Sequence, residues 1–296
     1  MTADLHEEIP QPVFVVGAGK VGSALGTLWA RAGVQMSGLW SRSAATARRA
    51  GELSGVTSHH GAFPAEVGGS RTVVIATRDA VVRYVASALL DGGLLRSASV
   101  VLHCGGAHCA DEALGSLGED APCSRGTLHP LLAVADADQG VRWLPSAFCA
   151  VEGPAWRCAR ALVVAMGATP LRLQGEQMAL YHAAAVVASN LPVVLWNVAG
   201  RLLERAGIPH ALAEQALLPL LHSMVENVAR QGTSQALTGP VRRGDVDTIR
   251  RHLEVLPADL RVLYRACTRQ ALAIAGERGQ DPQELLAMGH LLDDAD

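Results

Sequence analysis

Over roughly the first 170 residues, short apolar runs rich in β-branched side chains alternate with stretches of helical period. Val13 to Val16 reads as a strand, Lys20 to about Ala32 as a helix stopped by Gly33, and Gln35 to Trp40 as a second strand ending in Ser41, Arg42 and Ser43. Thr72 to Thr77 and Ser99 to His103 are uninterrupted apolar runs of the kind buried on both faces of a parallel sheet, with a helix from Asp79 to Leu90 between them. Ala147 to Val151, a helix from Pro154 to Met166, and Thr169 to Leu173 extend the same alternation. From Gly175 the pattern is helix after helix: to about Ala206, from Pro209 to Arg230, from Asp245 to Leu256, and onward from Pro257. The prediction is an α/β domain with a doubly wound parallel sheet over residues 1–173, followed by an all-helical domain over 174–296.

Met178 to Gly200 contains no Asp, Glu, Lys or Arg, a stretch long enough to raise a membrane span. At about 100° per residue, however, His182, Ser189, Asn190 and Asn197 fall on one polar stripe, and Pro192 interrupts the middle. The expectation is therefore a buried central helix whose polar stripe lines a cavity.

Composition narrows the partners. The 296 residues are 49% hydrophobic and 18% charged with net charge −3, a globular balance that gives no electrostatic attraction to nucleic acid or an anionic membrane. The expected partner is a small molecule. Six scattered cysteines without a paired spacing, and an acidic amino terminus unlike a leader, point to a reducing cytoplasm. Lys20 is the only lysine; every other basic residue is arginine or histidine.

The sharpest motif is Gly17, Ala18, Gly19, Lys20, Val21, Gly22, a G-x-G-x-x-G set after a strand and at the mouth of a helix. Such a turn brings backbone close to a pyrophosphate, which the helix amino terminus and Lys20 can receive. Where an NAD site places an acid, this chain has Arg42, 20 residues past Gly22 and flanked by Ser41 and Ser43. A guanidinium there suits a 2′-phosphate, so NADP is expected rather than NAD. Ligands of such sheets lie over the carboxyl ends of the strands, which draws in Ala76, Thr77, His103, Gly105 and Gly106, with His129 as a further candidate. No spacing of metal-ligand type occurs, and no metal is expected.

The dinucleotide motif, HCGGA at His103 to Ala107, LHPL at Leu128 to Leu131, LYHAAAVVASN at Leu180 to Asn190 and LTGPVRRGD at Leu237 to Asp245 together resemble proteins that join a Rossmann-like domain to a carboxyl-terminal domain of unknown function (type 2520). The resemblance implies kinship with 6-phosphogluconate, β-hydroxyacid, ketopantoate and pyrroline-carboxylate reductases, and NADP-dependent oxidoreduction. One departure is Gly105, where the family pattern leads one to expect serine. Hydroxyacid and ketopantoate reductases of that class take their proton from a lysine of the helical domain, and this chain has none there. His182 is the first candidate donor, because an imidazole titrates near neutrality. Asn190 would hold the acceptor atom, His129 would be the reserve donor, and Ser189 and Arg243 would contact substrate, Arg243 by clamping a carboxylate. Tyr181, about 100° from His182 on the helix, is the weaker candidate for the same cavity. The reading is an NADPH-dependent reductase of the carbonyl of a small, ketopantoate-like 2-oxo acid, homodimeric through its helical domain. The alternatives are an imine reductase and a non-catalytic NADP-binding module.

Overall fold

The computed structural model describes residues 7–118, 121 and 123–293; the start of the chain through His6 lies outside them. Its first part is an eight-stranded sheet: β1 (Val13–Val16), β2 (Met36–Ser41), β3 (Ser58–His60), β4 (Thr72–Ile75), β5 (Val100–His103), β6 (Ser124–Pro130), β7 (Phe148–Glu152) and β8 (Thr169–Arg172). The strand order is β3-β2-β1-β4-β5-β6-β7-β8, parallel throughout except for the antiparallel pair β6–β7. The chain leaves β1, runs outward to β3, and returns to place β4 on the other side of β1. That reversal opens a crevice at the carboxyl ends of β1 and β4, where doubly wound sheets bind their ligands.

Alternation along the strands builds two cores. Val13, Val15, Val74, Leu102 and Val151 face one side, against α1 (Lys20–Arg31) and a helix over Trp156–Ala165. Phe14, Val16, Val73, Ile75 and Val101 face the other, against the helix Asp79–Asp91. Numbered in chain order, the helices of this part are α1, α2 (Ala44–Ser54), α3 (Asp79–Asp91), α4 (Ala110–Leu114), α5 (Ala137–Trp143) and α6 (Trp156–Ala165). Trp29 of α1 is fully buried, and its indole N–H donates to the Leu162 carbonyl of α6 at 2.9 Å, tying the two helices on that face.

The helices that follow are α7 (Met178–Arg205), α8 (His210–Ala236), α9 (Gly239–Arg242), α10 (Val246–Val255), α11 (Ala258–Glu277) and α12 (Pro282–Asp293). Gly232 interrupts α8 with φ 77°, where the sequence predicted a stop. The chain forms two compact units that divide at Val193 and Val194, inside α7. The second unit has its own small core of Val241, Ile249, Leu253, Ala275, Met288 and Leu292.

The sequence expectation contains no counterpart of β3, α2, α4, α5 or α9, and the structure differs from it in three further features. β6 was not foreseen, since Arg125, Gly126 and Pro130 disguise it; Gly126 is there because a β-carbon would stand 2.8 Å from the Leu102 side chain. α12 was also missed. The third difference is α7, expected to be buried: only 6% of its most apolar stretch is covered within the chain. Apolar composition reports that a helix must be covered, and carries no information about which surface covers it.

Replacing Trp29 by Ala removes both the ring and its hydrogen bond. The expected cost is about 3–5 kcal/mol, read as a lower midpoint in urea denaturation. A loss below about 1 kcal/mol would mean that α1 and α6 do not depend on this contact.

Candidate functional site

The glycine-rich turn has the geometry its spacing requires. Gly17 has φ 108°, and a β-carbon on it would lie 2.7 Å from the Ala76 carbonyl oxygen and 2.9 Å from the Thr77 methyl. A β-carbon on Gly22 would collide with the Gly17 carbonyl, so α1 can pack this close to the turn only with glycine there. At Gly19 no atom lies within 4 Å of the position a side chain would take, leaving backbone open to a ligand. No side chain caps the amino terminus of α1 and no acid stands in its first turn, so its free N–H groups and partial positive charge remain available to an anion. Ala18 is buried, its N–H bonded to the Trp40 carbonyl at 2.7 Å, and Val21 packs on the core.

Beside this turn is a cleft of about 340 Å³ lined by Gly17, Gly19, Ser41, Arg42, Ala76 and Thr77. Arg42 and Arg78 are its charged groups. Trp40, packed on Phe63 with ring centroids 4.5 Å apart, forms one wall, and Tyr84 reaches in from α3. The sequence reading missed these aromatics, although Trp40 immediately precedes the Ser41-Arg42 pair. The Thr77 hydroxyl is buried without a hydrogen-bond partner, a donor and acceptor left over beside the cleft. Two predicted contacts lie elsewhere: Ser43 caps α2 by accepting from the Thr46 N–H, and Lys20 lines a neighbouring cleft with Thr46, Arg49 and Asp136. The donors present fit a phosphorylated dinucleotide: open glycine backbone, a bare helix amino terminus, and a guanidinium at the end of β2.

A second cavity, about 450 Å³, is lined by His129 from β6 and by Tyr181, His182, Ser189 and Asn190 from α7, over an apolar floor that includes Leu132 and Val186. Gly106, in the turn after β5, passes beneath the two imidazoles. A β-carbon there would lie 2.6 Å from His129 Nε2 and 2.6 Å from His182 Nδ1, so both rings close on a position that only hydrogen can fill. The rings stand nearly perpendicular with centroids 5.7 Å apart. Burial lowers the His129 pKa to about 4, with the neighbouring His182 pushing the same way and Asp79 opposing. His182 Nδ1 is buried and has no hydrogen-bond partner.

Tyr181 corrects the helical-wheel expectation. It lines the same cavity as His182, its hydroxyl donating to the His129 carbonyl at 3.2 Å and standing 3.2 Å from His129 Nδ1. His129 at the end of β6 is close enough to meet both neighbouring side chains of the helix. Burial raises the Tyr181 pKa to about 12. The single Ser189 hydroxyl proton is within reach of the Ala185 carbonyl at 2.8 Å and of Asn190 Oδ1 at 3.0 Å, and neither contact uses the Asn190 amide N–H groups.

His103, expected to touch substrate, is instead fully buried, with both ring nitrogens engaged: Nδ1 by the Gly105 N–H at 3.1 Å and Nε2 by the Thr127 hydroxyl at 2.9 Å. Burial lowers its pKa to about 4. Gly105 is buried as well, and a β-carbon on it would lie 2.9 Å from the Asp79 carboxylate. Arg243 belongs to the second unit, where it pairs with Asp245 at 3.8 Å, and no arginine or lysine lines the imidazole cavity among the described residues. Among those residues no group of three or more His, Cys, Asp or Glu side chains is arranged to hold a metal.

Comparison with known proteins agrees with this architecture. Residues 3–130 match the family model of a Rossmann-like domain, and residues 147–271 that of a domain of unknown function, DUF2520. No curated protein matches the chain. Protein TM1727 from Thermotoga maritima superimposes with a TM-score of 0.70 at 22% identity, covering 91% of this chain and 100% of its own. A reductive aminase from Aspergillus terreus, solved with NADPH and ethyl-5-oxohexanoate, gives 0.53 at 17% identity, covering 95% of this chain and 92% of its own. An NADH-preferring ketol-acid reductoisomerase from an uncultured archean gives 0.61 at 14%, covering 99% and 83%. At these identities the likeness is one of fold.

The buried histidines set an acid limit on stability. His103 and His129 titrate near 4 in the folded chain and near 6.5 when unfolded, so between these values the unfolded chain binds more protons. Their neutral burial therefore stabilises fully above about pH 6.5, and this is lost as the pH falls toward about 4, at about 1.4 kcal/mol per pH unit for each. The melting temperature is expected to fall across that window, with a shallower slope in His129→Asn; an unchanged slope would assign the proton uptake to other groups.

Proposed function

We propose that this chain, which belongs to the proteins joining a Rossmann-like domain to DUF2520, is an NADPH-dependent reductase of a carbon–oxygen or carbon–nitrogen double bond. One observation carries the reading: along the carboxyl edge of the sheet, a cleft suited to a phosphorylated dinucleotide adjoins a cavity with two facing imidazoles. The link runs from Thr77 and Arg78 to Asp79, from Asp79 to Gly105, and from Gly106 to His129 and His182. Arg42 and Ser41 would hold the 2′-phosphate, and the Gly17–Gly22 turn with the α1 amino terminus would hold the pyrophosphate. NADPH bound there supplies a hydride.

The chain's own task is to fix the acceptor and deliver a proton to its heteroatom. His182 serves as donor through the unpartnered Nδ1, and the Asn190 amide orients the acceptor. His129 is neutral at pH 7, so it acts as a hydrogen-bonding partner rather than as an acid. The cavity also bears on substrate class. A 2-oxo acid, the acceptor expected from sequence, would carry a carboxylate into a space that no guanidinium or ammonium lines among the described residues. An imine or an uncharged ketone suits the apolar floor better, and an iminium needs no proton at all when it receives a hydride. The 2-oxo acid is the second reading.

For the assembly we propose a second copy of this chain on α7. Leu180, Val187, Leu191 and Val194 are 45–77% exposed and fall within about 60° of one another around the helix. On α8, Leu212, Leu218 and Leu220 are exposed as well. Lipid is a poor cover, because α8 also carries Glu214, Glu226 and Arg230 and α7 carries His182, Ser189 and Asn190.

NADPH should bind tightly and be oxidised in the presence of members of a panel of cyclic imines, neutral ketones and 2-oxo acids, followed by its absorbance; absence of binding would overturn the reading at its base. Arg42→Ala should weaken NADPH by about 10- to 100-fold and NADH by no more than about 3-fold, and equal losses would reject the 2′-phosphate site. His182→Ala should lower kcat by about 100-fold or more with cofactor affinity retained. In sedimentation the protein should be a dimer and Leu191→Glu a monomer; a monomeric parent chain would reject the second copy.

A further inference from the structure

Beneath the imidazole cavity, three polar side chains occupy one row of the sheet. His103 on β5 is the register partner of Thr127 on β6, and Thr127 is the partner of Glu152 on β7. All three are buried. Glu152 Oε2 accepts from the Thr127 hydroxyl at 2.9 Å and from the Ala110 N–H at 2.8 Å. The Thr127 oxygen lies 2.9 Å from His103 Nε2, and His103 Nδ1 faces the Gly105 N–H at 3.1 Å.

The Cys109 backbone is a further hydrogen-bond partner of the His103 ring, and the Gly105 and Thr127 contacts set the direction of the row. A backbone N–H must donate, so His103 Nδ1 is an acceptor. With the Thr127 proton directed to Glu152, the Thr127 oxygen is free to accept, and His103 Nε2 carries the hydrogen that it accepts. The row thus ends on Gly105, the residue before the glycine on which His129 and His182 close. His129 stands two positions beyond Thr127 on the same strand, so the two side chains share a face of the sheet.

We propose that Thr127 and Glu152 are positioning residues for the reductase site: they lock His103 in its Nε2–H form, which grips the Gly105 N–H and seats Gly106 beneath His129 and His182. This rests on the reading above that the acceptor is reduced over those imidazoles. Neither residue touches the acceptor. Their effect passes through the backbone, where a shift of Gly106 alters the separation of both imidazoles from whatever they hold.

Long-range proton–nitrogen NMR of the ¹⁵N-labelled full-length protein reads the lock directly. His103 is expected as the Nε2–H tautomer, unchanged between pH 8 and pH 5, with the Gly105 amide protected from exchange. Thr127→Val, which keeps the shape and removes the hydroxyl, should shift the His103 Nε2 resonance and speed Gly105 exchange by about 10-fold or more. Thr127→Ser should retain both. With an acceptor from the panel above, Thr127→Val should lower kcat by about 10- to 100-fold while NADPH affinity stays within about 3-fold, and Thr127→Ser should restore the rate. An Nδ1–H tautomer in the parent protein, titration of His103 between pH 6 and 7, or unchanged Gly105 exchange in Thr127→Val would overturn the proposal. A silent panel beside the expected NMR result overturns the reductase reading alone, since the lock is read without turnover.

Discussion

Everything at the candidate site depends on how closely backbone approaches its neighbours along the carboxyl edge of the sheet. Gly106 runs under two imidazoles that leave no room for a carbon atom, and Gly17 runs against the Ala76 carbonyl in the same manner. Close packing of this kind turns small displacements into large ones, because an interior at crystal density cannot absorb an extra methyl group without moving its neighbours. The consequence is a candidate site whose shape is set by backbone.

Burial then decides what those side chains can do. His129 and His103 are both held neutral by loss of solvent, yet they serve differently. His103 has both nitrogens committed within the sheet, whereas His129 presents Nε2 toward Gly106 and the cavity. A buried imidazole with two partners is part of the framework, and a buried nitrogen without one, as at His182 Nδ1, is a place where a ligand can replace lost water. That distinction separates the chemistry of the upper storey from the support of the row below it.

The alternating α/β pattern, the turn glycines and the switch to helices after β8 were legible in the chain because each is a local property. Strands buried on both faces show as unbroken apolar runs, and the glycine spacing mirrors a turn that no other residue permits. β6 was not legible: Gly126 and Pro130 read as loop until Leu102 and β7 are placed beside them. Tyr181 ranks below His182 by helical geometry alone, since the wheel contains no neighbouring strand for its hydroxyl to reach.

Sequence by itself determined the change from alternating strands and helices to helices alone, the dinucleotide turn, the basic residue at the end of β2, and the apolar character of α7. These follow from periodicity and from residue types with few conformational options. Tertiary structure alone decided that His103 lies inside the sheet rather than at its rim, that His129 and His182 face each other across Gly106, and that α7 is left bare within one chain. Each of these is a relation between segments far apart in the chain. Hydrogen-bond partners and solvent loss depend on which segments meet, and no local pattern encodes the meeting.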